Sequence, residues 1–250
     1  MVEEVVYGRN PVLTLLRGQS RRAEEIAVLA GGRGPLAEVV ALARRAGVKV
    51  SFRTRDQLTA MAGASDHQGV VARVAAADYA DLGALLRVPA ERGEPAFFLA
   101  LDQIQDPRNL GAVVRTADAF GVHGVIVPKH HQVGLTGAVA RTAMGALEAV
   151  AVARETNLVA ALETLKKSGI WVYGGVLGGG IAPWNADLTG PLCLVLGSEG
   201  EGLRPLVART CDVLVTVPMV GRVGSLNVAA AASVLCYEVA RQRQTRPRSS

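Results

Sequence analysis

Ser225 and Asn227 stand where a glycine-rich loop meets an alanine-rich helix, in the stretch PMVGRVGSLNVAAAASVLCYEVAR from Pro218 to Arg241. A hydroxyl and a carboxamide both donate and accept hydrogen bonds. The first-turn N–H groups of a helix lack partners inside it, so such a junction can hold the acceptor atoms of a ligand against the positive end of the dipole. Alanine is the best helix former, and Ala229 to Ala232 followed by Val234, Leu235 and Val239 predicts a well-packed helix. Ser225 falls where an N-cap belongs, with Asn227 in the first turn. Taken alone, the segment fits a plain capped helix equally well, since these residue types favour caps whatever the function.

Two further segments share this plan. FFLALDQIQDPRNLGAVVRTADAFGV runs from an apolar stretch, Phe97 to Leu101, through Asp106-Pro107 into a helical pattern carrying Asn109 and Arg115. LCLVLGSEGEGLRPLV runs from an apolar stretch, Leu192 to Leu196, through the loop Gly197-Ser198-Glu199-Gly200-Glu201-Gly202 into a helix opening near Leu203. Pro205 is tolerated there because a first-turn proline loses no hydrogen bond. Three polar loops thus leave the carboxyl ends of three apolar strands, the edge at which open α/β sheets bind ligands. Singly, Arg115 reads as a surface ion pair, Glu199 as an exposed carboxylate, and Gly197 and Gly202 as turn residues.

The elements that must position these residues alternate along the chain. In the amino-terminal part, Asn10-Pro11 reads as an N-cap and first-turn proline, Glu25 to Ala30 as a strand, and Pro35 to Leu42 as a helix. Val48 to Phe52 is a second strand, Gln57 to Met61 a helix and Gly69 to Val74 a third strand. This alternation predicts a small α/β domain over 1–75 with its sheet covered on both faces. Alanine, charge and proline over 76–95 predict a linker, although Leu82 to Leu86 also suits a docked helix. A larger α/β domain follows over 96–244, with Val125 to Val127, Val150 to Val152 and Ile170 to Tyr173 as further strands. Gly137 to Leu147 and Leu158 to Lys167 are its additional helices, and residues 245–250 form a polar, basic tail.

Composition bounds the function. A net charge of +5 permits an anionic partner without requiring one. Cys193, Cys211 and Cys236 are too few and wrongly spaced for a disulfide framework or zinc site, and His67, His123, His130 and His131 lack metal-ligand spacing. No metal is expected. Apolar stretches are broken before about 18 residues, so no membrane span is expected, and a cytoplasmic location follows. Gly174, Gly175, Gly178, Gly179 and Gly180 do not fit the dinucleotide fingerprint, which disfavours nicotinamide chemistry. Arg9, Arg17, Arg21, Arg22, Arg44 and Arg45 are candidates for phosphate contacts, which position a nucleic acid without reading its sequence.

In order and spacing, DPRNLGAVVRTA, LVLGSEGEGL and VPMVGRVGSLNVAAAASVL resemble the three motifs of the SpoU/TrmH group of 2′-O-ribose RNA methyltransferases, of the SPOUT superfamily. VYGRNPVLTLL and HQGVVA are similar to the amino-terminal substrate-binding domain of the subgroup that methylates a guanosine ribose in bacterial 23S rRNA. The resemblance implies a Rossmann-like parallel sheet with a carboxyl-terminal trefoil knot, preceded by a small α/β RNA-binding domain, and a homodimer with the knotted region at its interface. S-adenosylmethionine is the implied cofactor, with Gly175, Gly197, Val217 and Leu226 matching its contacts. Asn109, Arg115, Glu199, Ser225 and Asn227 match the catalytic set. Arginine stays protonated at ordinary pH, so steering phosphate and ribose suits Arg115 better than acting as a base. Met144 departs from the pattern, standing where a small residue is usual, and Ala151 where proline is common. The alternatives are tRNA or another rRNA site as substrate, and a non-catalytic RNA-binding protein on the same fold.

Overall fold

Runs of alternating and continuous apolar residues separate the chain into two sheets. In a computed structural model, residues 4–17, 23–32, 34–74 and 79–245 are described. They divide into one unit of Met1–Asp78 with Gly134–Ala149, and a second of Tyr79–Val133 with Val150–Ser250. Arg21, Arg22, part of the expected linker and nearly all of the basic tail lie outside the described residues.

The first unit holds β1 (Glu4–Tyr7), α1 (Arg9–Arg17), β2 (Ala23–Leu29), α2 (Pro35–Arg45), β3 (Lys49–Arg53), α3 (Arg55–Ala62) and β4 (Val70–Val74). Its strand order is β1-β4-β2-β3, with β4 antiparallel to both neighbours and β2 parallel to β3. Thr54 caps α3 in a reciprocal box with Gln57, and Leu58 packs with Tyr7, Ala27 and Val71 on the sheet. Asn10 is not the expected cap: α1 already begins at Arg9, so Asn10 lies in its first turn. His67 is buried and structural. Its Nδ1 accepts from the Gly69 N–H at 3.0 Å, and its Nε2 lies 3.2 Å from the Thr59 hydroxyl.

The second unit begins with α4 (Leu82–Arg92), the helix left open within the expected linker, whose Leu85 is in the core. There follow β5 (Phe97–Asp102), α5 (Pro107–Ala119) and β6 (Gly124–Pro128), and then α6 (Gly137–Ala143), which packs in the first unit. β7 (Val152–Glu155), α7 (Leu158–Lys167), β8 (Trp171–Gly175), β9 (Leu192–Gly197), α8 (Pro205–Thr210), β10 (Val213–Val215) and α9 (Val228–Thr245) complete it. The six strands are all parallel, in the order β10-β8-β9-β5-β6-β7. Helices cover such a sheet on both faces, which is why its central strands read as unbroken apolar runs. On one face Phe98, Cys193 and Val195 pack with Leu85 of α4, Leu162 of α7 and Val207 of α8. Side chains alternate along a strand, so Leu194 and Leu196 point to the other face, where α5 and α9 pack together through a 3.0 Å Thr116–Ser233 hydroxyl contact.

Two expectations change here, and one strand is new. The helix over Gly137–Leu147 ends at Ala143, because Met144 and Gly145 take left-handed φ values of 51° and 95°. A β-carbon on Gly145 would meet the Thr14 side chain at 2.5 Å, so only glycine fits this approach of the chain to α1. β7 starts at Val152, with Val125 of β6 as its first partner, rather than at Val150. The new strand is β10, for which the sequence carries no signal. Three residues are too short for a period-two pattern, and parallel pairing with Tyr173–Gly175 makes them a strand.

Candidate active site

The carboxyl ends of β5, β9 and β10 deliver the three polar loops to one place. Asp106 accepts from the Arg108 N–H at 2.7 Å and caps α5, Pro107 occupies the first helical position, and Asn109 falls in the first turn. Asn109 Nδ2 donates to Glu199 Oε1 at 2.9 Å. Asn227 Nδ2 donates to Asn109 Oδ1 at 2.9 Å and also to Glu199 Oε1. One carboxylate oxygen thus collects two amide donors from loops that are 28 and 90 residues away in sequence. Asn227 Oδ1 accepts from the N–H groups of Ala229, at 2.9 Å, and Ala230, at 3.4 Å. Asn227, not Ser225, is therefore the cap of α9. Ser225 sits two residues earlier, exposed in the loop, where it lines the adjoining cleft.

That cleft encloses about 670 Å³, counting the space open at its mouth, and is walled by Gly175, Leu196, Gly197, Val217, Leu226 and Leu235 among others. Glu199 and Ser225 lie on its lining too. Ser198 and Gly202 exchange two backbone hydrogen bonds of 3.1 and 3.0 Å, folding the loop back on itself. A β-carbon on Gly197 would then lie 2.0 Å from the carbonyl carbon and oxygen of Gly202. Gly197 is glycine for close backbone approach, and Gly202, with φ 69°, for the turn. A wall of bare backbone and aliphatic side chains suits a flat, largely apolar ligand held by main-chain groups.

A second pocket opens beside the first and shares Ser198, Glu199 and Val228 with it; Gln103, Gln105 and Asn109 form its other side. Glu199 thus lines both cavities, whereas Asn109 lines only the second and Asn227, hydrogen-bonded to both residues, lines neither. Arg115 is exposed six positions further along α5, about a third of a turn round from Asn109, and lines neither cavity.

Sequence reasoning missed the support beneath these loops. Asp102 is 1% exposed and receives the Arg204 backbone N–H at 2.9 Å, its Nε at 2.8 Å and its terminal nitrogen at 2.7 Å. A buried carboxylate needs this many donors to offset its lost hydration. The pair ties the end of β5 to the chain entering α8. An aspartate closing an apolar run was the available signal. His123, 3% exposed, was also unforeseen as a core group: its Nδ1 accepts from the Phe97 N–H and its Nε2 meets Glu94 Oε2, both at 3.0 Å. Burial holds its pKa below the ordinary value, with Glu94 opposing. The thiols of Cys211 and Cys236 are pushed up to about 12 by burial, and that of Cys193 is raised for the same reason. Among the described residues no three His, Cys, Asp or Glu side chains cluster as metal ligands, and no helix is long and apolar enough to cross a membrane.

With this geometry in hand, comparison with known proteins is decisive. Residues 96–237 match the model of the SpoU rRNA Methylase family, and residues 5–80 match the domain described as RNA 2′-O ribose methyltransferase substrate binding. The chain belongs to the SpoU methylase family. It is an RNA methyltransferase with a substrate-binding domain, and membership implies the family's carboxyl-terminal trefoil knot. YacO of Bacillus subtilis, provisionally named a TrmH family tRNA/rRNA methyltransferase, is 42% identical over 240 residues, 96% of each chain. The 23S rRNA (guanosine-2′-O-)-methyltransferase RlmB of Shewanella oneidensis is 38% identical over 244 residues, 97% of this chain and 99% of that one. A crystal structure of the SpoU methyltransferase AviRb from Streptomyces viridochromogenes, in complex with the cofactor AdoMet, superposes with a TM-score of 0.82 at 26% identity. It covers 98% of this chain and 92% of AviRb.

Proposed function

We propose that this member of the family transfers the methyl group of S-adenosylmethionine to the ribose 2′-hydroxyl of a guanosine in 23S rRNA. The observation that carries methyl transfer is Glu199, held by Asn109 and Asn227 and lining both a glycine-walled cleft and a second, polar pocket, while the choice of guanosine in 23S rRNA is supported by the 38% identical RlmB relative. The cofactor fits the first: Gly175, Gly197, Val217 and Leu226 offer backbone and aliphatic surface, and the missing side chain of Gly197 lets the Gly202 backbone fold in to form that wall. When bound, it supplies a methyl group on a sulfonium, whose thioether leaves without needing a proton or a metal.

The remaining work falls to the chain's own groups. A ribose in the second pocket meets the Asn109 carboxamide and the Glu199 carboxylate, which fix its orientation, while Asn227 donates to both and holds them in place. Ser225 adds a hydroxyl at the cleft wall, and Glu199, whose carboxylate lines both pockets, accepts the proton that the 2′-hydroxyl gives up as its oxygen takes the methyl group. Arg115 is assigned to steering the RNA through its ribose and phosphate groups, for which its fork of donors is suited. A homodimer fits the apolar surface at the carboxyl-terminal end, where Val234 and Tyr237 of α9 are 42% and 58% exposed and Val223 of the preceding loop is 69% exposed. A cytoplasmic location accords with an RNA substrate.

The test is transfer of labelled methyl to unmodified 23S rRNA, 16S rRNA and tRNA in parallel, with mapping of the 2′-O-methyl product. One labelled guanosine in 23S rRNA is expected. Label confined to tRNA would favour the second reading, which the tRNA/rRNA naming of the Bacillus relative supports. Arg115→Ala is expected to lose turnover while retaining RNA binding; unchanged turnover would remove it from the mechanism.

A further inference from the structure

The loop from Gln103 to Asp106 forms one side of the polar pocket and leads directly into the turn that carries Asn109. It lies beyond the reach of the sheet, since the β5–β6 ladder ends at Ala100–Ile126. What holds it is a two-residue clamp from the loop after β6. Gln132 Oε1 accepts from the Ile104 N–H at 2.7 Å, and the Val133 N–H donates to the Ile104 carbonyl at 2.9 Å. Both backbone groups of Ile104 are thereby satisfied as a strand neighbour would satisfy them, with a side-chain amide oxygen standing in for the strand's carbonyl.

Two observations set this clamp apart from an ordinary loop contact. Gln103 and His131, one on each partner loop, hold left-handed φ values of 66° and 56°, which residues with a β-carbon rarely adopt, so both loops are held away from their relaxed paths. Gln132 Nε2 is buried with no hydrogen-bond partner, a cost accepted by a side chain whose oxygen is the useful end. The chain passes from the second unit into the Gly134–Ala149 segment of the first at the next peptide after Val133.

We propose that Gln132 is a positioning residue for methyl transfer, holding Gln103–Asp106, and through it the start of α5 and Asn109, in the geometry that orients the acceptor ribose. This rests on the methyltransferase reading given above. Gln132→Met keeps the length of the side chain and removes the strong acceptor, whereas Gln132→Glu keeps an acceptor oxygen at the same reach in either protonation state. With the full chain, labelled S-adenosylmethionine and the three unmodified RNAs, Gln132→Met is expected to lower kcat by about tenfold or more, as small misplacements of reacting groups do. The cofactor Kd by calorimetry and the KM for RNA should stay within about twofold, and Gln132→Glu should recover most of the loss, because the Ile104 N–H keeps its acceptor. Wild-type turnover in Gln132→Met would overturn the proposal while leaving the methyltransferase reading intact. So would a parallel loss of cofactor affinity and thermal stability, or a Gln132→Glu variant as slow as Gln132→Met. Failure of the wild-type protein to label any of the three RNAs would instead sink the substrate assignment, and this role with it.

Discussion

At position 197 the constraint on side-chain size comes from backbone, and backbone cannot step aside as a side chain can. Gly197→Ala puts a methyl 2.0 Å from the Gly202 carbonyl, so the loop that walls the cleft must open. Overpacking of this kind costs roughly 1–3 kcal/mol, and the expected result is a cofactor Kd weakened by about tenfold or more in a calorimetric titration. Gly178→Ala is the control: a β-carbon there meets nothing within 4 Å, and wild-type binding is expected. The capping residue of α9 gives a second contrast. Asn227→Ala removes acceptors for the Ala229 and Ala230 N–H groups and should cost about 1 kcal/mol in urea unfolding, whereas Ser225→Ala should stay within about 0.5 kcal/mol. Equal losses would restore Ser225 as the cap. The sequence allowed either assignment, because serine and asparagine cap equally well and only the path of loop 216–227 decides between them. Which residues meet was legible in part: Asn109, Glu199 and Asn227 converge, while Arg115 lies outside both cavities.

Among the elements, the junction of α4 with β5 carries a pH dependence. His123 Nδ1 accepts from the Phe97 N–H, so the neutral ring keeps its proton on Nε2, facing Glu94. Protonation would set two donors against each other in a buried place, in keeping with the lowered pKa. A histidine depressed in the folded state takes up its proton first in the unfolded chain. Its contribution is therefore fully present above the unfolded value of about 6.5 and is lost as pH falls from there through the folded value. Unfolding free energy is expected to decline as pH falls below about 6.5, and His123→Gln, which keeps an acceptor for Phe97, should flatten that part of the curve. An unchanged slope would show that His123 does not set it. Long apolar runs such as Phe97–Leu101 and Leu192–Leu196 announced their strands, since burial on both faces leaves no room for polar alternation. α4 and β10 were harder to read, because their identity depends on the neighbours they pack against: Leu85 fits beside Gly124, and Val213–Val215 beside β8.

For the whole molecule, chain order and packing disagree over Gly134–Ala149, which runs between β6 and β7 of the catalytic sheet yet belongs to the substrate-binding unit. Sequence could not show this, because the contacts join residues more than a hundred positions apart. Arg141 of α6 stacks over the Tyr7 ring with its guanidinium carbon 4.8 Å from the centroid, and donates to the Tyr7 hydroxyl. Gly145 lies against Thr14, and the Met144 departure from the family pattern falls at this bend, where its side chain is exposed. If the segment is held chiefly by the amino-terminal unit, loosening that hold should free it without disturbing the catalytic sheet. Tyr7→Phe keeps the ring and removes only the acceptor. A hydrogen bond to a charged group contributes about 1.5–3 kcal/mol, so the locally open population should rise by about tenfold or more. Cleavage by trypsin after Arg141 should accelerate accordingly in the regime where opening is fast relative to cleavage, while sites in the catalytic sheet keep their wild-type rates. Identical cleavage after Arg141 in both proteins would mean that α6 is held from elsewhere; acceleration at every site would mean that Tyr7 supports global stability instead.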